Sequence, residues 1–323
     1  MPVRPEPRRG PPNPLQLPPG PSMKPQRPSP PAGFPRMRSE PRAAGSVGVI
    51  HRFEQGLSLV ELMVAMVVGL VVVGAVLAAF AATGRTGRQQ AALTDLNDNA
   101  QLALALLSRD LAQAGYAQAT GLSADGSRLQ RTYADRPVFG CQGGFQKPNT
   151  VSAVACQPDG DADAIEVVYQ AEVANTVPTA ANVPTDCLGN GLTAVAGVYT
   201  AYNRYYLATG ATGRSELHCA SRQGAAGQPL IDQVQAMRIV YGEAHAAAPR
   251  VPVRYVRAGE VSDWGLVVSV RVCLLMRSAD AVLNTQDDSL AYLDCDGATR
   301  QAQDGHWYRA YTRTATLRNR AAL

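Results

Sequence analysis

The hydrophobic pattern divides the chain into four stretches. Residues 1–50 are dominated by Pro, Arg, Gly and Ser, with almost no apolar periodicity. Such a stretch cannot offset its ordering entropy by burial, so it is predicted to be disordered. From Leu62 to Ala82 come 21 consecutive residues without a charge, LMVAMVVGLVVVGAVLAAFAA. As a helix this run spans about 30 Å, the thickness of a bilayer hydrocarbon core. A buried core helix of a soluble protein is the competing reading, and the length of the uncharged run argues against it. Residues 85–115 lack proline and place Leu93, Leu96, Ala100, Ala103 or Leu104, Leu107 and Leu111 at steps of three and four. That spacing predicts an amphipathic continuation of the same helix, with one apolar face and a stop at Gly115. Arg85, Arg88, Gln89, Asp95, Asp98, Arg109 and Asp110 are expected largely off the stripe.

After Tyr116 the pattern turns β-like. Ile165–Val173, Val195–Leu207, Val234–Tyr241, Leu266–Met276 and Trp307–Leu317 are rich in β-branched and aromatic residues, bounded by Gly, Pro, Asp or Asn. Val268-Ser269-Val270-Arg271-Val272 alternates, as in a half-buried antiparallel strand. The predicted class is α+β: one long helix packed on an antiparallel sheet. No internal repeat is apparent.

Composition adds little until it is split. Apolar residues make up 46% of the 323, which excludes a wholly disordered chain. Residues 1–56 hold nine Lys/Arg against three Asp/Glu, and 15 of the 23 prolines lie in residues 1–41. The net charge of +4 therefore belongs to this leader (+6), and the rest of the chain is slightly acidic (−2). The basic balance is no argument for a nucleic-acid partner. Arg38, Arg42 and Arg52 precede the apolar run, placing the N-terminal side in the cytoplasm and the bulk of the chain outside. The PxxP-rich leader reads as a discarded extension or a polyproline ligand, and Met23 and Met37 are alternative starts to Met1.

The six cysteines, Cys141, Cys156, Cys187, Cys219, Cys273 and Cys295, all follow the apolar run, and none has CxxC spacing. Beyond a membrane segment, an even set of scattered cysteines points to disulfides in an oxidising compartment. Pairing nearest neighbours, Cys141–Cys156, Cys187–Cys219 and Cys273–Cys295, is the simplest of many connectivities. Cys273, inside a predicted strand, is the weakest member and has a buried-thiol reading.

One junction carries the most specific chemistry: Glu54-Gln55-Gly56-Leu57-Ser58-Leu59-Val60-Glu61-Leu62-Met63. A carboxylate in a membrane helix costs on the order of 2.5–3.5 kcal/mol at the bilayer centre, so Glu61 is a functional candidate by default. The plainer reading is a helix-end acid that reaches the headgroups, favoured by the positive helix N-terminus. The basic leader, the glycine, the apolar run and the acid together resemble the class III signal of type IV prepilins and pseudopilins. The resemblance implies peptidase cleavage between Gly56 and Leu57, N-methylation of Leu57, and an assembly role for Glu61. Leu57 departs from the phenylalanine usual there. Arg109-Asp110-Leu111-Ala112-Gln113-Ala114-Gly115-Tyr116 further resembles the end of the long helix in PilW-type minor pilins. Asp159 to Tyr169, Pro229 to Gly242, Asp263-Trp264 before the next strand, and Leu317-Arg318-Asn319-Arg320 are similar to that family in the same order.

What the resemblance implies is a pilin-like fold in four parts. These are a leader, 1–56, removed by the peptidase; a transmembrane or filament-core helix, 57–83; its amphipathic continuation, 84–116; and an extracytoplasmic β-rich domain, 117–323. It implies a minor pilin in the initiating or tip complex of a type IV pilus, inserted in the inner membrane as a precursor and later at the cell surface. Its partners would be other minor pilins, the major pilin, the prepilin peptidase, the inner-membrane assembly platform and membrane lipid. A pseudopilin of a type II secretion system shares the signal and the helix. A membrane-anchored periplasmic binding protein or enzyme is the reading from another class.

Other motifs are set aside. Asp159-x-Asp161-x-Asp163 starts like a calcium loop, but Ala164 and Gln170 stand where its glycine and glutamate belong, so a solvated turn is expected. Gly143-Gly144 and Gly189-Asn190-Gly191 read as turns, and Trp264 and Trp307 as filling for the sheet core. Arg318 and Arg320 read as solvated. No GxSxG elbow and no Ser/His/Asp set stands out, so neither catalytic residues nor a cofactor nor a metal is expected.

Overall fold

The computed structural model describes residues 58–126, 129–131, 136–224, 226–281 and 290–320. Its first element is a single helix, α1 (Leu59–Gln113), of 55 residues and about 80 Å. Two environments share that helix. Over the first half none of the described residues covers it, and Leu70 and Phe80 are 74% and 81% exposed. In the second half Leu96, Ala100, Ala103, Leu104, Leu107 and Leu111 are buried, the stripe expected from their spacing.

The helix stops where Gly115 takes a left-handed conformation, φ +74°, and donates its N–H to the carbonyl of Val168. The last helical carbonyls have no intrahelical partners. Asn319 meets two of them, donating its Nδ2 to the carbonyls of Ala112 and Gln113 at 3.0 and 3.3 Å.

Thirteen strands follow among the described residues. A short hairpin, β1 (Ala119–Leu122) with β2 (Leu129–Arg131), comes first. Then β3 (Val138–Cys141), β4 (Ala164–Gln170), β5 (Thr200–Thr209), β6 (Ser215–Ser221) and β7 (Gln228–Ile231) form a five-stranded antiparallel sheet in sequential order. The second sheet has β8 (Val234–His245), β9 (Ala248–Val256), β10 (Val267–Arg277) and β13 (Tyr308–Thr316), ordered β13-β10-β8-β9. Between β10 and β13 a second small hairpin, β11 (Leu290–Leu293) with β12 (Thr299–Ala302), leaves the sheet. One continuous core joins the buried stripe of α1 to both sheets through Ile165, Val167, Leu217, Met237, Ile239, Val272 and Leu274.

The α+β class is the one expected, with the antiparallel strands divided between two principal sheets. Several expectations need correcting. The stretch from Val195 begins as a tight turn: Val195 and Val198 exchange backbone hydrogen bonds around Ala196 and Gly197, both at positive φ, and β5 starts only at Thr200. The strand from Ile165 ends at Gln170, because Glu172 opens a turn whose carbonyl receives the N–H groups of Asn175 and Thr176. Asp110 is buried on the helix stripe rather than off it, since it lies three residues after Leu107 on a 3.6-residue repeat.

β4 is buried on both faces, which a single packed helix does not explain. The outer face is covered by the segment between β3 and β4, which makes a second small core of Cys141, Phe145, Val154 and Ala164. Gly143 and Gly160 let the two ends of this segment touch: a Cβ on Gly160 would lie 1.6 Å from the Gly143 carbonyl oxygen. Arg204 fastens the segment from below. Fully buried, it pairs through Nε with Glu166 at 2.7 Å, and its two other nitrogens donate to the carbonyls of Pro148, Thr150 and Ser152.

Candidate functional site

The residues singled out by the sequence fall into three places. Gly56 and Leu57, with the rest of the 1–56 leader and Met1, Met23 and Met37, lie outside the described residues. Glu61 sits in the first turn of α1 and is exposed, with no ion pair among the described residues. Its neighbours Leu59, Val60, Leu62, Met63 and Val64 are equally uncovered. A carboxylate on a bare apolar rod is unstable in lipid unless a cation reaches it. Nothing in the described part of the chain supplies one.

The cysteines lie far from that end. Cys141 bonds Cys156, Cys187 bonds Cys219, and Cys273 bonds Cys295, closing loops of 15, 32 and 22 residues. Each bond holds a segment with little core of its own. The first closes the flap over β4. The second ties the loop before β5 to β6, where Cys219 is fully buried. The third pins the turn of the β11–β12 hairpin to β10, and Asp296 in that turn also pairs with Arg257 at 2.8 Å and Arg238 at 3.5 Å.

Asp163 belongs to the same corner. Instead of a solvated turn it is buried, accepts the Ile239 N–H at 2.7 Å and pairs with Arg257 at 3.0 Å. Burial pushes its carboxyl above the ordinary value, while the Ile239 N–H, Arg257 and Arg238 pull it back. With two arginines as neighbours this aspartate is a strut and not a calcium ligand. No group of three or more His, Cys, Asp or Glu that could hold a metal ion occurs among the described residues. Trp264 packs edge-on against Tyr241 at 4.8 Å between ring centres, and Trp307 leans on the core half-exposed. Arg318 is exposed, and the side chain of Arg320 lies outside the described residues.

The polar joint between rod and sheets is the feature that sequence reasoning missed. Asp110 Oδ2 accepts from Tyr205 Oη and Asn203 Nδ2, both at 2.6 Å. Asn203 in turn donates to the Tyr169 hydroxyl and accepts the Cys187 N–H. The signal available was the helical step from Leu107, which puts Asp110 on the buried face. Burial raises the Asp110 carboxyl, and hydrogen bonds from Tyr205 and Asn203, with Arg109 nearby, oppose this without reversing it. A folded pKa raised above the unfolded one contributes stability below the unfolded value and loses it as pH rises through the folded value. Asp110→Asn keeps an acceptor oxygen but cannot ionise. Urea unfolding should therefore show the stability of this variant rising relative to wild type between pH 4 and pH 7. A difference that stays flat with pH would remove Asp110 as the source.

Two family models match the chain. Residues 51–77 match the Prokaryotic N-terminal methylation motif, spanning the glycine junction and most of the apolar run. Residues 204–319 match Type IV Pilus-assembly protein W, from β5 to the residue that caps α1. A solved type IV-like pilin from Thermus thermophilus aligns at 15% identity with a TM-score of 0.35, covering 70% of this chain and 98% of its own. No curated protein matches.

Proposed function

We propose that this chain, a type IV pilin-like protein with a PilW domain and a prepilin methylation motif, acts as a minor pilin in the initiating or tip complex of a type IV pilus. The observation that carries the reading is the division of α1. One rod is bare and apolar over its first half and buried along one face in its second. Such a subunit can sit in a bilayer and later exchange lipid for the like helices of a filament, while its sheets stay outside. The motif and the pilus family imply dealings with the assembly machinery and a prepilin peptidase, and the apolar start of α1 fits membrane anchoring. On this reading the sheets are periplasmic in the precursor and reach the surface with the pilus. The protein works by packing against other minor pilins and the major pilin, with no active site of its own.

Processing supplies the cation that Glu61 lacks. Cleavage between Gly56 and Leu57 leaves an α-amino group on Leu57, cationic even when singly methylated. In a dry helix bundle the amine and the carboxylate are each costly alone, and pairing removes much of that penalty. If Glu61 of one subunit meets the N-terminus of another offset by about one helical turn, the pair fixes axial register.

Two experiments test this. N-terminal sequencing of mature protein should begin at Leu57, and Gly56→Arg or loss of the peptidase should leave a larger band in the inner membrane. An unchanged size and N-terminus in both would overturn the processing step. Glu61→Ala should insert, be cleaved and fold normally, yet fall by at least about tenfold in sheared pilus fractions, as an unpaired buried amine demands. Normal incorporation of the alanine variant would leave assembly resting on helix packing alone.

A further inference from the structure

A cleft of about 340 Å³ opens beside the polar joint, between the last turns of α1, β5 and the loop 176–189. Its lining includes Leu106, Asp110, Asp186, Leu188, Tyr205 and Leu230. Asp186 is 94% buried, being 6% exposed. One of its oxygens, Oδ1, accepts the N–H groups of Leu188 at 2.9 Å and Asn190 at 3.0 Å. The other, Oδ2, is buried with no hydrogen-bond partner. An acceptor shielded from water and left without a donor is destabilising, more so when it is charged. Asp110 brings a second buried carboxylate to the same cleft. Tyr169, whose hydroxyl is raised chiefly by burial, feels both carboxylates, so the two act on one small volume.

We propose that this cleft seats one lysine or arginine side chain presented by another polypeptide. The unpartnered Asp186 oxygen and Asp110 give the charge that a cationic head needs. Leu106, Leu188 and Leu230 give an apolar wall for its alkyl stem, the division that long basic side chains exploit. A divalent cation fits poorly. It would need about six oxygens, and Asp186 Oδ1 and Asp110 Oδ2 each already accept two hydrogen bonds. Arg109 stands exposed at the rim, near enough to be felt by Asp110, and among the described residues no ion pair fills the site.

The test uses full-length protein in detergent micelles with 13C-methyl-labelled leucines, titrated with Nα-acetyl-lysine amide. The methyl signals of Leu106, Leu188 and Leu230 should shift saturably in the millimolar range. Nα-acetyl-norleucine amide, which has the stem without the charge, should leave them unmoved. Asp186→Asn keeps Oδ1 as an acceptor for Leu188 and Asn190, and it should weaken lysine binding by at least about tenfold. If that variant fails to fold, Leu106→Lys supplies a tethered occupant and should abolish the response instead. Equal shifts with the norleucine probe, or no change in either variant, would overturn the proposal. Calcium chloride shifting the same signals at lower concentration than the lysine probe would also overturn it, in favour of a metal.

Discussion

Arg204→Ala should lower the unfolding free energy of the β-rich domain by about 3–5 kcal/mol, the range for removing one member of a buried ion pair. For a domain of this size that is about 10 °C of melting temperature. The reason is geometric. Arg204 and Glu166 face each other across β5 and β4 as direct register partners, and both are buried. With the guanidinium gone, the Glu166 carboxylate stays behind, buried and without its cation. The carbonyls of Pro148, Thr150 and Ser152 lose their donor together. The flap between β3 and β4 would then lose three of its ties and keep Cys141–Cys156, the two touching glycines and the bond from Arg222 Nε to the Val151 carbonyl. The double variant Arg204→Met/Glu166→Leu should recover most of the loss, since it leaves no isolated charge. Thermal melts of the two variants side by side decide the matter. If the double variant is as weak as the single one, the arginine matters as a clamp on the flap and its charge pairing is secondary.

Loss of the three disulfides should act on the same scale. By chain-entropy reasoning, loops of 15, 22 and 32 residues are each worth about 3–4 kcal/mol. Opening all three removes a sum comparable to the whole stability of an ordinary domain. Protein reduced under mild denaturant should therefore lose its cooperative melt, while oxidised protein keeps it. Cys187→Ala/Cys219→Ala should be the most damaging pair, because it closes the longest loop and vacates a fully buried position. Non-reducing peptide mapping of protein isolated from cells with its thiols blocked should return the three linked pairs, and six free thiols there would dispose of the prediction.

How far the sequence reaches depends on what each residue has to announce. An uncharged run followed by leucines at steps of three and four has one physical solution, and α1 follows it to within two residues of Gly115. β4, β8, β10 and β13 were legible because their β-branched residues outnumber their charges. β6, SELHCAS, has no such bias, and β9, APRVPVRYV, carries two prolines that argue against a strand. It is a strand because it lies at the edge of its sheet, where a missing N–H does least harm. The split into two sheets has no local signature at all, since pairing joins residues far apart. Glu61 announced itself because an acid in an apolar run is costly wherever it sits. Asp110, Asp186 and Arg204 did not, because a polar residue next to apolar ones gives no sign of which partner will fold over it.

The Asn319 cap has a consequence in time. Its two acceptors lie more than 200 residues earlier in the chain, and Tyr311 reaches back 214 residues to Asn97 in the same helix. At about 5–20 residues per second, synthesis separates these partners by roughly 10–40 s. For that interval the end of α1 lacks its Asn319 cap and the β13 edge of the second sheet, although β3 to β7, which share a core with its leucine stripe, are already made. Contacts so distant in sequence make for slow closure. The rod must therefore wait, its last turn uncapped, for the final residues of the chain, and that unfinished joint is an opening for a chaperone.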